Sequence, residues 1–295
     1  MVSDDLRGIM SITAHAPTKP RKMSQPPLTL LVDNGSLQPA AALALRDLAT
    51  KLNARINQPV EAVSLLHSSG IDPKLIDGRP AEILLPALER RLAEGQNEFV
   101  IIPLFFGSSH ALTLDVPENI ERLRKKFPSL RVIMGPPLHA SGDRRLAQIL
   151  ADHVNMELEK SPGGPGRVAL VDHGSPAKSV TDVRDELARQ LAALLRPRGV
   201  TVAACSMERR PGPAYDFCDP LLAALLEKFP RSDGRVIVAM QFLLPGRHAG
   251  PDGDVAKICL AAETARPGLR TTMTKLVGEH PLLIDILVDR RRAVM

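Results

Sequence analysis

Aromatic side chains are nearly missing from this 295-residue chain, which has no Trp, one Tyr and seven Phe. So few rings cannot furnish the stacking platforms on which single-stranded nucleic acids are held. Cysteine is scarce as well. Cys205, Cys218 and Cys259 share no C-x-x-C spacing, which argues against a zinc site or a disulfide framework and leaves buried, reduced thiols. No stretch approaches the roughly 18 consecutive apolar residues of a membrane span. Residues 1–27 carry Asp4 and Asp5 and no apolar signal-like run, so they read as a flexible tail, and a cytoplasmic location is expected. The phosphate-cradling pattern G-x-x-x-x-G-K-[ST] is absent, and no G-x-G-x-x-G follows either leading strand, so no nucleotide is expected. The net charge is +5, with a pI near 9.3. Its Lys and Arg are scattered among Asp and Glu, without the basic stripe of a nucleic-acid binder.

What is present is one unit written twice. Ala169-Leu170-Val171-Asp172-His173-Gly174-Ser175 is an apolar run that stops at a histidine, and Leu30-Leu31-Val32-Asp33-Asn34-Gly35-Ser36 repeats it with asparagine in that place. Helical positions Leu48, Leu52 and Ile56 recur as Leu187, Leu191 and Leu195 at the same step of 139 as Asn34 to His173. The strand Val100–Phe106 is answered by Val236–Phe242 at a step of 136, and His110 by His248 at 138. Strands alternating with helices predict an α/β fold of two tandem, duplicated domains. Each is a mainly parallel sheet with helices on both faces in flavodoxin-like layers, with a cleft between the halves. The expected boundaries are 28–160 and 167–295, joined by the Ser-Pro-Gly-Gly-Pro-Gly linker at 161–166.

In such sheets ligands sit beyond the carboxyl ends of the strands. The residues expected there are Asn34, His67 and His110 in the first half, and His173, Glu208 and His248 in the second. Strands one and three are central in a sheet of this order, so His173 and His248 are expected to face one cleft, with Glu208 reaching the same edge. Two imidazoles and a carboxylate suit Fe, Co, Ni or Zn dications, and imidazole also takes up protons near neutrality. Gly174, Gly246 and Gly250 remove side chains beside these histidines and admit close approach of a flat ligand. Ser175-Pro176 reads as a helix start, with serine as N-cap. His139, His153 and His280 lie in loop or helix settings where solvent exposure is expected.

Val171-Asp172-His173-Gly174-Ser175, the Met207-Glu208 pair and Gly246-Arg247-His248-Ala249-Gly250 together resemble the sirohydrochlorin chelatases, the class II chelatases of cobalamin and siroheme synthesis. The first half resembles them through Asn34-Gly35-Ser36, Pro103-Leu104-Phe105-Phe106, His110 and Asp115-Val116-Pro117. The resemblance covers about residues 28–292. It implies insertion of Co2+ or Fe2+ into sirohydrochlorin without ATP, and nickel suits the same ligands. It also implies that His173 and His248 bind the metal and accept pyrrole protons, with Glu208 as their acidic companion. Short members of the family pair two chains around one cleft, so a double-length chain is expected to act as a monomer. Asn34 cannot titrate near neutrality, which makes the first half a substrate-binding wall and the second the catalytic half. Where Glu208 stands, the first half offers His67 or Ser68. Sirohydrochlorin is ringed with carboxylates, so Arg209, Arg210 and Arg247 are expected to bind it, along with Asn34, His110, Gly174 and Ser175. The alternative reading, motivated by Asn34, is a family member that holds a tetrapyrrole or metal without catalysis.

Overall fold

The computed structural model describes residues 26–160, 166–229 and 234–295. The tail up to residue 25 and the linker residues 161–165 lie outside the described residues. The first half runs β1 (Leu28–Asp33), α1 (Pro39–Ile56), β2 (Val60–Ser64), α2 (Leu84–Ala93), β3 (Glu98–Pro103), α3 (Val116–Lys126), β4 (Arg131–Met134) and α4 (Arg145–Glu159). The second repeats it as β5 (Arg167–Asp172), α5 (Lys178–Leu195), β6 (Thr201–Ser206), α6 (Leu222–Lys228), β7 (Arg235–Met240), α7 (Asp254–Ala265), β8 (Arg270–Met273) and α8 (Leu282–Arg292). Each half forms a four-stranded, all-parallel sheet, in the orders β2-β1-β3-β4 and β6-β5-β7-β8.

Apolar residues on both faces of the central strands require cover on both sides. Leu30, Val32, Phe99 and Ile101 pack outward on α2 and α3, while Val171, Val238 and Met240 do the same on α6 and α7. The opposite faces, with Leu31, Val100 and Ile102 in one sheet and Leu170, Ile237 and Ala239 in the other, share one continuous core. Helices α1, α4, α5 and α8 fill the space between the sheets.

The two closing helices are exchanged within this core. Helix α4 packs on α5 and β7 of the second half, and α8 packs on α1 and β3 of the first. Leu283, Ile286 and Leu287 of α8 are fully buried, each contributing roughly 1.5–3 kcal/mol of burial. Arg290 donates to the carbonyls of Pro137 and Leu138 and pairs with Asp143 at 2.7 Å, while Arg291 donates to Thr29 Oγ1 at 3.0 Å. Exchange also corrects the exposure expected of two histidines. His153 of α4 is 3% exposed, and its ring packs edge-on against His280, whose Nε2 lies 3.3 Å from Asp152. Both are covered because α4 lies beneath the segment that leads into α8.

Helix α5 begins at Lys178, two residues beyond the predicted start. Ser175 Oγ accepts from Ala177 N–H at 3.1 Å, and Ser36 Oγ accepts from Gln38 N–H at the same distance before α1. In both halves the serine therefore turns the chain ahead of the helix. No helix among the described residues is long and apolar enough to cross a membrane.

Candidate active site

The carboxyl ends of β1, β3, β5 and β7 meet around a cleft of about 630 Å³ lined by both halves. The loop after β3 touches the start of α5, where Ser179 Oγ donates to the Ser108 carbonyl at 2.9 Å. The loop after β7 reaches the turn after β1, where a Cβ built on Gly246 would stand 3.7 Å from Ser36 Oγ. Three of the seven phenylalanines, Phe105, Phe106 and Phe242, line this space with Leu104, Leu243 and Leu244. Scarce rings gathered on one concave surface make an apolar slot suited to a flat ligand.

His173 follows β5 and His248 lies in the loop after β7, and their rings meet edge-on with centroids 4.6 Å apart. Their hydrogen bonds fix what each ring offers. His173 Nδ1 is 2.8 Å from the Gly174 carbonyl oxygen, which can only accept, so Nδ1 carries the proton and the neutral ring has a bare Nε2. That nitrogen is 3.5 Å from Glu208 Oε1. Two acceptors face each other there, and a proton or a cation between them would satisfy both. His248 Nδ1 is 2.7 Å from Asp254 Oδ2, and this bond holds the Asp254 carboxyl below the usual carboxylate range. The carboxylate fixes the Nδ1–H tautomer and leaves Nε2 bare in the second ring as well. Among the described residues no group of three His, Cys, Asp or Glu side chains is set to hold a metal ion. What the geometry gives is a bare nitrogen on each of two adjacent imidazoles, with a carboxylate 3.5 Å from one of them.

Gly174 shows why the strand must end as it does. Its φ is +90°, and a Cβ there would stand 1.9 Å from the Glu208 carbonyl oxygen. This close approach brings the Glu208 loop beside His173, and Glu208 N–H donates to the His173 carbonyl at 3.2 Å. The first half copies the contact. Gly35 has φ +91°, its Cβ would lie 1.8 Å from the Leu66 carbonyl oxygen, and Leu66 N–H donates to the Asn34 carbonyl at 3.2 Å. The counterpart of Glu208 is thus Leu66, rather than His67 or Ser68, and the first half lacks the carboxylate as well as the histidine. His67 still lines the cleft, held at φ +65°.

Backbone bonds also shift the histidine correspondence. Ser109 N–H donates to Gly107 and Gly246 N–H to Leu244, and Thr113 N–H donates to Ser109 as Gly250 N–H does to Gly246. A step of 137 holds through this loop, so His110 occupies the position of Arg247 and Ala111 that of His248. His110 is exposed and does not line the cleft.

Among the other residues expected at the site, Asn34, Gly174 and Arg247 line the cleft, while Ser175, Arg209 and Arg210 do not. Arg209 is held within its own loop by Asp216 and Asp219, each at 3.1 Å, and Arg210 lies over the Tyr215 ring. Arg247 stays open to solvent, 3.6 Å from Asp254.

Sequence reasoning missed Asp254, whose signal is an acidic first residue of a helix just after a glycine-rich histidine loop. It also missed the buried polar floor made by Asp33, Asp172 and Gln241. Burial pushes the carboxyls of Asp33 and Asp172 upward.

Comparison with known proteins bears on the family and the fold. The CbiX family model matches the chain twice, over residues 28–156 and 167–294. A sirohydrochlorin ferrochelatase of Priestia megaterium is 26% identical over 114 residues, a match spanning 37% of this chain and 42% of that relative. SirB from Bacillus subtilis with Fe3+ has the same fold, with a TM-score of 0.68 at 18% identity over 92% of this chain and 96% of that one. SirB from Bacillus subtilis subspecies spizizenii in complex with cobalt gives a TM-score of 0.66 at 16% identity, over 92% and 95% of the two chains. With the family model matching both halves and the same fold in double-length chelatase structures, the chain belongs to the CbiX family.

Proposed function

We propose that this protein inserts a divalent metal, Co2+ or Fe2+, into sirohydrochlorin without nucleotide, in siroheme or cobalamin synthesis. The observation that carries the reading is the pair of bare Nε2 atoms on His173 and His248 at an apolar, phenylalanine-lined cleft built by both sheets. Family membership, and the metal-bearing structures that share the fold, support it.

The residues act as follows. Insertion exchanges one dication for the two protons on the macrocycle's pyrrole nitrogens. His173 and His248 hold the incoming metal through Nε2, and Glu208 steadies it beside His173. When the metal passes to the four nitrogens of the ring, the vacated imidazoles are placed to take up the displaced protons. Loose ligation serves this transfer, because a closed protein cage would retain its metal. Asp254 keeps His248 in the productive tautomer. The first half, with Asn34 and Leu66 where the second has His173 and Glu208, forms the opposite wall and contacts the substrate without exchanging protons. Arg247, at the mouth, is the arginine placed to meet a peripheral carboxylate. Since one chain supplies both walls, a monomer is sufficient.

The test mixes purified protein with sirohydrochlorin and Co2+ or Fe2+ and follows the absorbance change. Metallation faster than the protein-free reaction is expected, with His173→Ala and His248→Ala each removing most of it and Asn34→Ala retaining a substantial part. Binding of sirohydrochlorin with no acceleration would favour a non-catalytic holder, the reading that Asn34 motivates. Equal losses in all three variants would mean that the catalytic role has been assigned to the wrong half.

A further inference from the structure

Gln241 is, with Asp33 and Asp172, one of three buried polar side chains in the cleft that the proposed scheme leaves unused. It lines the floor, is 2% exposed, and neither its amide oxygen nor its amide nitrogen has a hydrogen-bond partner among the described residues. A buried amide without partners destabilises a fold, and an apolar side chain of similar size would remove that penalty. The duplicated half has made that replacement. Gln241 N–H donates to the Val171 carbonyl as Leu104 N–H donates to the Val32 carbonyl, so the two residues are equivalent, and Leu104 is buried in the shared core. The catalytic half therefore keeps an unfavourable amide where the same backbone accepts leucine.

We propose that Gln241 recognises the metal-free macrocycle by accepting a hydrogen bond from one of its pyrrole N–H groups, and so distinguishes substrate from product. This inference rests on the chelatase reading above. The neighbouring chemistry selects a donor over a carboxylate as the ligand group. The β5–β7 register that pairs Val171 with Met240 sets Asp172 beside Gln241 on the same sheet face, and Asp172 Oδ2 also finds no partner among the described residues. With Asp33 at the other side of the floor, a carboxylate brought there would lose its water beside two carboxyls that burial already pushes toward the uncharged form. The peripheral carboxylates of the macrocycle are thereby directed away from the floor, leaving its N–H groups as the available donors. Metal insertion removes those protons, and with them the donor that Gln241 bonds. The product then leaves the amide unsatisfied again, which weakens its hold and favours release.

The experiment measures binding of metal-free sirohydrochlorin and of cobalt-sirohydrochlorin by absorbance titration, for the wild type, Gln241→Leu and the nearly isosteric Gln241→Met. Thermal unfolding of each ligand-free protein is recorded in parallel. Both variants should bind the metal-free ring about tenfold more weakly, the loss of one hydrogen bond in a dry site. Their affinity for the cobalt form should stay within about twofold, and the Tm of the ligand-free variants should rise by roughly 2–4 °C. A merely structural role would move both ligands together, so an unchanged affinity ratio, or unweakened binding of the metal-free ring, overturns the inference and leaves the chelatase reading intact. A wild type that binds neither ligand overturns both.

Discussion

Gly174 and Gly35 allow the same perturbation to be made twice in one molecule, at the second half and at its copy in the first. Alanine at either position puts a Cβ within 1.9 Å or 1.8 Å of a carbonyl oxygen, those of Glu208 and Leu66 respectively. That is roughly 1.5 Å short of ordinary contact, far more than a side chain can absorb, and the atom that must yield is backbone. Each residue would also hold φ near +90°, which an L side chain adopts at a cost of about 1–2 kcal/mol. Strain and displacement together should remove about 2–4 kcal/mol of stability from each variant, by nearly equal amounts. Activity should divide them. In Gly174→Ala the displaced carbonyl belongs to Glu208 itself, so the carboxylate leaves its position 3.5 Å from His173, and most metallation should be lost. In Gly35→Ala the displaced residue is Leu66, which has no proton or ligand to offer, and more than about a third of the rate should survive. Urea midpoints at constant m-value give the stability, and initial rates with sirohydrochlorin and Co2+ give the activity. Equal activity losses at equal stability cost, or Gly174→Ala with wild-type midpoint and rate, would deny that the Gly174 turn positions Glu208.

Asp254→Asn should cut the initial metallation rate by about 10- to 100-fold with the fold unchanged by circular dichroism, because an amide no longer imposes the Nδ1–H tautomer on His248; a rate within twofold of wild type would assign Asp254 to surface charge alone. Burial holds the His153 and His139 imidazoles below their ordinary value, while in the unfolded chain they take up protons near pH 6.5. Acidification from pH 7.5 toward 5 should therefore favour the unfolded state, with stability restored as the pH is raised again. His153→Leu should lose part of that slope in urea midpoints, and an unaltered slope would contradict the buried setting of the ring. Residues 26–160 made alone lack α8 and should stay poorly folded by NMR, whereas mixing with 166–295 should give a compact complex; a well-dispersed spectrum from 26–160 by itself would deny that α8 is needed over β3.

The order of elements was legible in the chain because it rests on local pattern. Apolar runs such as Phe99–Ile102 and leucines at helical spacing need no distant partner to be recognised, and the doubled Asp-Asn-Gly-Ser and Asp-His-Gly-Ser turns fixed where both leading strands end. Strand ends in parallel sheets collect at one edge, so His173, His248 and Glu208 could be named together before their distances were known. Other features depend on which groups meet across space. Exchange of α4 and α8 follows from the shared core, and two amphipathic helices of similar pattern cannot declare which sheet they will cover. Leu66, and not His67, matches Glu208 because loop insertions blur a count of residues, while backbone hydrogen bonds to Asn34 and His173 keep an exact register. Nor does composition reveal that Arg209 is bound within its own loop, that His173 and His248 both present a bare Nε2, or that Gln241 lies unpartnered in the same cleft. Residue types limit which bonds a side chain can make, and tertiary packing decides which of them are made and which are left for a ligand.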